Sequence, residues 1–273
     1  MERILAVLNR TETAASVLHV IGGIAARLGM TRVSALHPRL AQDPTFMPTE
    51  EMMTEERSKR FSHETADLAA HLHRVFDDWL PSLGKESTAR WVELIGDPGK
   101  SIVSEAVMAD LVVVGHALPD DAEEVRQGFK AALYDAGACV VVAAGQRAAT
   151  VAAHPAVAWA PSQAIEKAID AAMPLLLAAD QVTILIAQTD HPDSTQPEAL
   201  LRTLEQAGVA TKVLRFAPAQ QEIGAALLAR AQSEGADLLV MGAYTHNRFI
   251  ETLLGGATRE ALAEAAIPLL MHH

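Results

Sequence analysis

Two tandem α/β domains, each a doubly wound parallel sheet of five strands, are predicted from three features of the chain. The run 109–115, Ala-Asp-Leu-Val-Val-Val-Gly, is repeated as Ala-Asp-Leu-Leu-Val-Met-Gly at 236–242, an offset of 127 residues. The apolar run 4–8 has its counterpart at 156–160, an offset of 152. Between these landmarks short apolar runs alternate with helical patterns, the signature of a parallel sheet covered by helices. A self-similar sequence of this kind marks a duplicated unit, and the expected division is 1–148 and 149–273. Each part is long enough to bury a core of its own.

In the first copy strands are expected at 2–8, 31–36, 89–94, 110–115 and 139–143. In the second they fall at 155–160, 181–187, 211–216, 237–242 and 267–271. Right-handed crossovers then place the ligand crevice beyond the carboxyl ends of the strands, where the winding reverses. The loops after the first and fourth strands of each copy are therefore the places to look. The two offsets differ by 25 residues, and the surplus lies between the second and third strands of the first copy. There Phe61, Thr65, Leu68, Leu72, Val75 and Trp79 alternate spacings of four and three, an apolar stripe along one long helix. Such a stripe covers a sheet within its own domain; a face for an external partner is the alternative reading.

Composition narrows the functions. A formal charge of −12 argues against a nucleic-acid surface. No apolar run approaches the ~18 residues of a membrane span, and the start lacks the pattern of a signal peptide, so a cytoplasmic protein is expected. Cys139 is the single cysteine, set in an apolar run that suits an inert buried thiol.

Glycine at a strand end, followed by small residues at a helix start, lets backbone N–H groups approach phosphate oxygens. In the second copy the cradle residues are Gly242-Ala243-Tyr244-Thr245-His246-Asn247-Arg248 and Leu254-Gly255-Gly256-Ala257-Thr258-Arg259. With Gly96-Asp97-Pro98 after the third strand, these segments make the chain resemble a tandem universal stress protein of the UspA superfamily. The resemblance covers both halves. It implies the universal stress protein and adenine nucleotide alpha hydrolase type of fold, a non-enzymatic stress-response role, and ATP or another adenine nucleotide as ligand, with Mg2+. It also implies that the two domains pair within the chain as a dimer of single-domain members would, with a homodimer of the whole chain as a further expectation.

The family motif is glycine, two residues, glycine, nine residues, glycine, then Ser or Thr. Gly242 and Gly255 hold its first and last glycines, Thr245 stands at the middle one and Gly256 at the hydroxyl position, with Thr258 two residues on. The resemblance thus assigns Gly242, Thr245, His246, Arg248, Gly255, Gly256, Ala257 and Thr258 to the nucleotide, with Arg248 or Arg259 to neutralise phosphate. The acid that ATP-binding members carry after the first strand is missing from both copies, which read Leu8-Asn9-Arg10 and Trp159-Ala160-Pro161-Ser162. In the first copy Leu118 and Phe129 replace the middle glycine and the hydroxyl, and Asp120, Asp121, Glu123 and Glu124 oppose a polyphosphate by like charge. That half is expected to be empty of nucleotide.

Other signals fail. Gly99-Lys100-Ser101 ends like a P-loop, but Leu94 stands where its first glycine belongs, and Asp97-Pro98 reads as a helix cap and first turn. His63, His71 and His73 lack metal-ligand spacing, and no catalytic triad or water-positioning base is visible, so at most a slow ATPase would be expected. The alternative function is a ligand-independent scaffold in which both pockets have decayed.

Overall fold

The computed structural model describes residues 1–29, 31–44, 54–116, 121–145, 149–188, 197–218, 223–242 and 267–272. Its first half runs β1 (Arg3–Val7), α1 (Thr11–Leu28), β2 (Arg32–Leu40), α2 (Glu55–Trp79), β3 (Thr88–Gly96), α3 (Pro98–Ala106), β4 (Leu111–Gly115), α4 (Glu123–Lys130) and β5 (Val140–Ala143). The second runs β6 (Pro155–Ala158), α5 (Gln163–Leu177), β7 (Gln181–Ala187), α6 (Glu198–Gln206), β8 (Ala210–Phe216), α7 (Ile223–Ser233), β9 (Leu238–Gly242) and β10 (Leu269–His272). The helix expected between β9 and β10 lies outside the described residues.

Both halves adopt the doubly wound order 3-2-1-4-5, and all pairings within each half are parallel. The last strands meet back to back. β5 pairs β10 antiparallel, Leu270 opposite Val141, which joins ten strands into one sheet. The central strands are apolar on both faces because helices cover both: Leu111–Gly115 and Leu238–Gly242 are buried at every position. One apolar layer lies under α1, α2 and α5 and includes Ile21, Leu72, Phe76 and Leu175. The other lies under α3, α4 and α7, with Ile102, Leu133 and Leu228.

The repeated Ala-Asp-Leu run has a structural reason. Asp110 accepts the backbone N–H groups of Glu2 at 2.8 Å and Arg3 at 3.0 Å, fastening the start of β1 to β4. Asp237 does the same for the start of β6, accepting from the N–H groups of Ala153 at 2.8 Å and His154 at 2.9 Å. Burial pushes the Asp110 carboxyl up, but the two N–H bonds and the Arg3 guanidinium outweigh it and hold the group below its ordinary value.

Contacts between the halves extend beyond the strands. Arg27 of α1 grips Asp180 with both nitrogens, at 3.0 and 2.9 Å. Gly23 lets Val151 close onto α1, since a Cβ there would sit 2.6 Å from Val151 Cβ.

Two sequence expectations change in detail. β2 continues to Leu40, four residues past the expected end, pairing β3 from Arg32↔Thr88 to Leu40↔Gly96. Its register with β1 stops at Leu36, so Pro38 sits where β2 has a strand on one side only and a missing N–H is tolerated. On α2 the stripe faces inward, with Leu72 fully buried, but Ala69 and Phe76 are buried as well, while Phe61, Leu68, Val75 and Trp79 are half-buried. Thr54 caps this helix, accepting from Arg57 N–H, with Glu55 and Glu56 in its first turn. Cys139 is buried in the sheet, and desolvation pushes its thiol up to about 12, which leaves it protonated and inert. Among the described residues no helix is long and apolar enough to cross a membrane.

Candidate functional site

Both strand-end glycines are fixed by the helix that follows the first strand. A Cβ on Gly115 would lie 2.5 Å from Thr13 Cβ, in the first turn of α1. A Cβ on Gly242 would lie 2.8 Å from the backbone nitrogen of Ile165 and 3.1 Å from Ala164, in the first turn of α5. Thr13 and Ile165 are separated by the same offset of 152 that relates the two first strands. Each half therefore brings the end of its fourth strand against a helix N-terminus, where N–H groups and the helix field favour an anion.

The caps of these two helices differ. α5 begins at Ser162, whose hydroxyl accepts from Ile165 N–H at 3.3 Å. α1 begins at Arg10, which makes no side-chain cap bond. Its guanidinium instead crosses the crevice, pairs with Asp121 ahead of α4 and donates to the carbonyl of His116 at 2.6 Å. Both side chains are removed from water, Arg10 at 10% exposure and Asp121 at 3%. Asp121 thus enters a buried pair rather than acting as a surface repellent, a role that its place in an acidic run does not disclose. Phe129 packs into the apolar layer beneath α3 and α4, and Glu123 is held by Arg126 at 3.0 Å. Asp120 and Leu118 lie outside the described residues.

Above this pair lies a cavity of about 650 Å3 at the carboxyl ends of β1 and β2. Pro38, Leu40, Leu68 and Val125 supply apolar wall, with His37, Arg39 and Thr65 between them. Arg39 ties β2 to the long helix, donating to Thr65 Oγ1 at 3.3 Å and Ser62 O at 3.4 Å and pairing with Glu93 at 3.0 Å. His37 is 3% exposed, with Nδ1 2.8 Å from Leu8 O. A carbonyl only accepts, so Nδ1 carries the proton and Nε2 keeps its lone pair. Burial lowers the His37 pKa, as it does that of His116, where the Arg10 charge adds to the effect; both imidazoles stay neutral in the fold. Beside His37, Trp91 stacks on His73 of α2 with ring centroids 4.7 Å apart, closing the seam between helix and sheet.

Of the residues assigned to a nucleotide from the sequence, Gly242 stands at the end of β9 against α5, as described. Thr245, His246, Arg248, Gly255, Gly256, Ala257, Thr258 and Arg259 lie outside the described residues. Sequence reasoning missed Arg10 and Asp121 as partners. The available signal was an arginine in the loop after β1 and an acid in the loop after β4, two loops that the fold class places side by side.

No protein-family model matches the sequence, and no curated protein matches it. The solved structures do. A universal stress protein from Archaeoglobus fulgidus DSM 4304 superposes with a TM-score of 0.69, covering 98% of this chain and 94% of that one at 13% identity. A protein from Pseudomonas aeruginosa UCBPP-PA14, provisionally described as a universal stress protein, gives 0.50 over 99% and 92% at 14% identity. A functionally unknown protein from Pseudomonas aeruginosa PAO1 gives 0.51 with the same coverage at 13% identity. The chain has the fold of the universal stress proteins.

Proposed function

From that fold, we propose that the protein is a non-enzymatic stress-response protein that binds an adenine nucleotide in its second half and none in its first. The observation that carries the reading is the buried Arg10–Asp121 pair across the first crevice. By the two offsets, Arg10 corresponds to Ser162 and Asp121 to Arg248. The first half sets a cation already neutralised by an acid in the floor of its crevice. The second keeps a short serine turned to its own helix and puts an arginine at the position of that acid, a composition suited to phosphate.

Gly242 lets the end of β9 pack against the first turn of α5, which brings the N-terminal N–H groups of that helix to the crevice. Gly242, Thr245, His246, Arg248 and the segment Gly255-Gly256-Ala257-Thr258 are the residues proposed to hold the phosphates. Magnesium would accompany the phosphates, and no protein ligand is assigned to it. The division at 148/149, the pairing of the halves as a built-in dimer and a cytoplasmic setting belong to the same proposal. A ligand-independent scaffold is the second reading, favoured by the lack of an acid after the first strand in either half.

Calorimetry with ATP and magnesium tests the choice. Wild-type protein should bind, Gly255→Asp should abolish binding by placing bulk and negative charge against phosphate, and Ser162→Arg should weaken it by copying the first half's obstruction. Absence of heat at millimolar ATP, or equal binding by wild type and Gly255→Asp, would establish the scaffold.

A further inference from the structure

At the amino ends of β1, β2 and β3, the end of the sheet away from both crevices, the first half has a second cavity of about 360 Å3. Its wall carries three arginines, one from each strand: Arg3, Arg32 and Arg90. Strand alternation puts all three on the α3 face, with Leu5, Leu36 and Val92 further along the same strands. Arg3 stands opposite Arg32, and Arg90 stands opposite Ser34, two residues on. Neighbouring strands lie about 4.8 Å apart, so three like charges share one small space. Among the described residues two acids reach them, Asp110 at 3.2 Å from Arg3 and Glu105 at 3.5 Å from Arg90. Arg90 also donates to Ser34 Oγ at 3.0 Å. The Arg32 guanidinium forms no hydrogen bond or ion pair among the described residues. Met108 lines the cavity just past the end of α3, and it and its neighbour Val107 are 63% and 71% exposed.

A helix C-terminus favours a nearby cation, which accounts for one arginine beside the end of α3. It does not account for three of them in a chain whose formal charge is −12, nor for one left without an acid. The second half balances the same place. Aligned on the Asp110 and Asp237 anchors, the strand registers put Gln181 at the position of Arg32 and Lys212 at that of Arg90. Glu234, 127 residues on from Val107, pairs there with both Lys212 and Arg230. We propose that the first-half cavity is an anion site for a small phosphorylated molecule with an apolar body. Guanidinium forks from three strands offer more donors than the two oxygens of a carboxylate can use, and they suit the three terminal oxygens of a phosphate monoester. Arg32 supplies the uncommitted fork, and Arg3 and Arg90 supply the N–H groups that Asp110 and Glu105 leave free. The apolar body lies against Met108 and Ala109. This site is separate from the proposed nucleotide crevice, which opens at the opposite end of the sheet in the other half.

The test is calorimetry on the full chain with phenyl phosphate and inorganic phosphate. Phenyl phosphate should bind about ten-fold more tightly, the scale of partly burying one ring. Arg32→Gln, which installs the residue of the second half, should weaken phenyl phosphate about ten-fold, as loss of one charge-assisted pair at a partly exposed site would. Val107→Glu should weaken it similarly, by giving Arg90 the acid that Lys212 has in Glu234. Glu105→Gln should act in the opposite direction and tighten binding about three-fold, because it frees Arg90. Arg32 and Val107 are exposed, so these two changes leave the core untouched. No binding of phenyl phosphate at millimolar concentration, equal affinity for the two probes, or Arg32→Gln binding as wild type does would each overturn the proposal. Gly255→Asp separates the two sites: phenyl phosphate binding should survive it, and loss of that binding would assign the probe to the second half and overturn the first-half site. ATP titrated into Arg32→Gln reads the nucleotide proposal independently.

Discussion

The first and second crevices of this chain occupy equivalent ends of two equivalent half-sheets, yet they differ in the residues that decide what enters them. At each, a glycine ends the fourth strand because a helix start presses against it. In the first, Arg10 and Asp121 close the floor and a helix of 25 residues, α2, walls the mouth. In the second, Ser162 stands at the place of Arg10, and the helix at the place of α2 is α6, with nine residues. The lesson is that duplication preserved the backbone contacts that hold the sheet together and released the side chains that face the crevice. Asp110 and Asp237 still perform one task; Arg10 and Ser162 perform two.

The largest expected effect comes from breaking the feature that separates the crevices. Asp121→Ala leaves the Arg10 charge buried and unpaired, which should lower stability by about 3–5 kcal/mol in urea denaturation. Replacing both residues by apolar ones of similar size should cost much less, because no uncompensated charge remains. A loss below about 1 kcal/mol for the single variant, the size of a surface pair, would mean that the pair does not close the crevice.

Next is the wall that only the first half possesses. Leu72 is fully buried beneath α2, so Leu72→Ala should cost about 2–5 kcal/mol by the same measurement. A change within about 0.5 kcal/mol would be that of an exposed site and would return α2 to the role of an external face.

The smallest effects probe what the crevices share. Gly115→Ala and Gly242→Ala should each cost about 1–3 kcal/mol through overpacking. The neighbours differ, however. Gly115 faces the Thr13 side chain, whereas Gly242 faces backbone at Ile165. Thr13→Gly should therefore restore part of the stability lost by Gly115→Ala. No side-chain truncation at Ile165 should rescue Gly242→Ala, and thermal melts of the four variants compare the two directly.

Much of the architecture was legible because it depends on local periodicity and on repetition. Alternating apolar runs locate the strands within a few residues, and the spacing of Leu68, Leu72 and Val75 identifies the inward face of α2. Where the reading fell short, a neighbour was needed. β2 runs on past Leu36 because β3 accompanies it on one side after its register with β1 has ended, and Pro38 alone would argue against a strand there. Phe76 joins the core through Trp91, from a strand outside its own helix.

The sequence by itself determined the duplication, the parallel winding of each half, the inert thiol of Cys139 and the end of the sheet where a crevice forms, since each follows from residue type and spacing along the chain. Tertiary structure alone decided that the halves share one sheet through the antiparallel meeting of β5 and β10, that Arg10 meets Asp121 across 111 residues, and that His37 carries its proton on Nδ1, toward the Leu8 carbonyl. The physical reason is common to all three. Edge pairing, a buried ion pair and a tautomer are each fixed by a partner brought close only by folding, and neither partner's own stretch of sequence records the other.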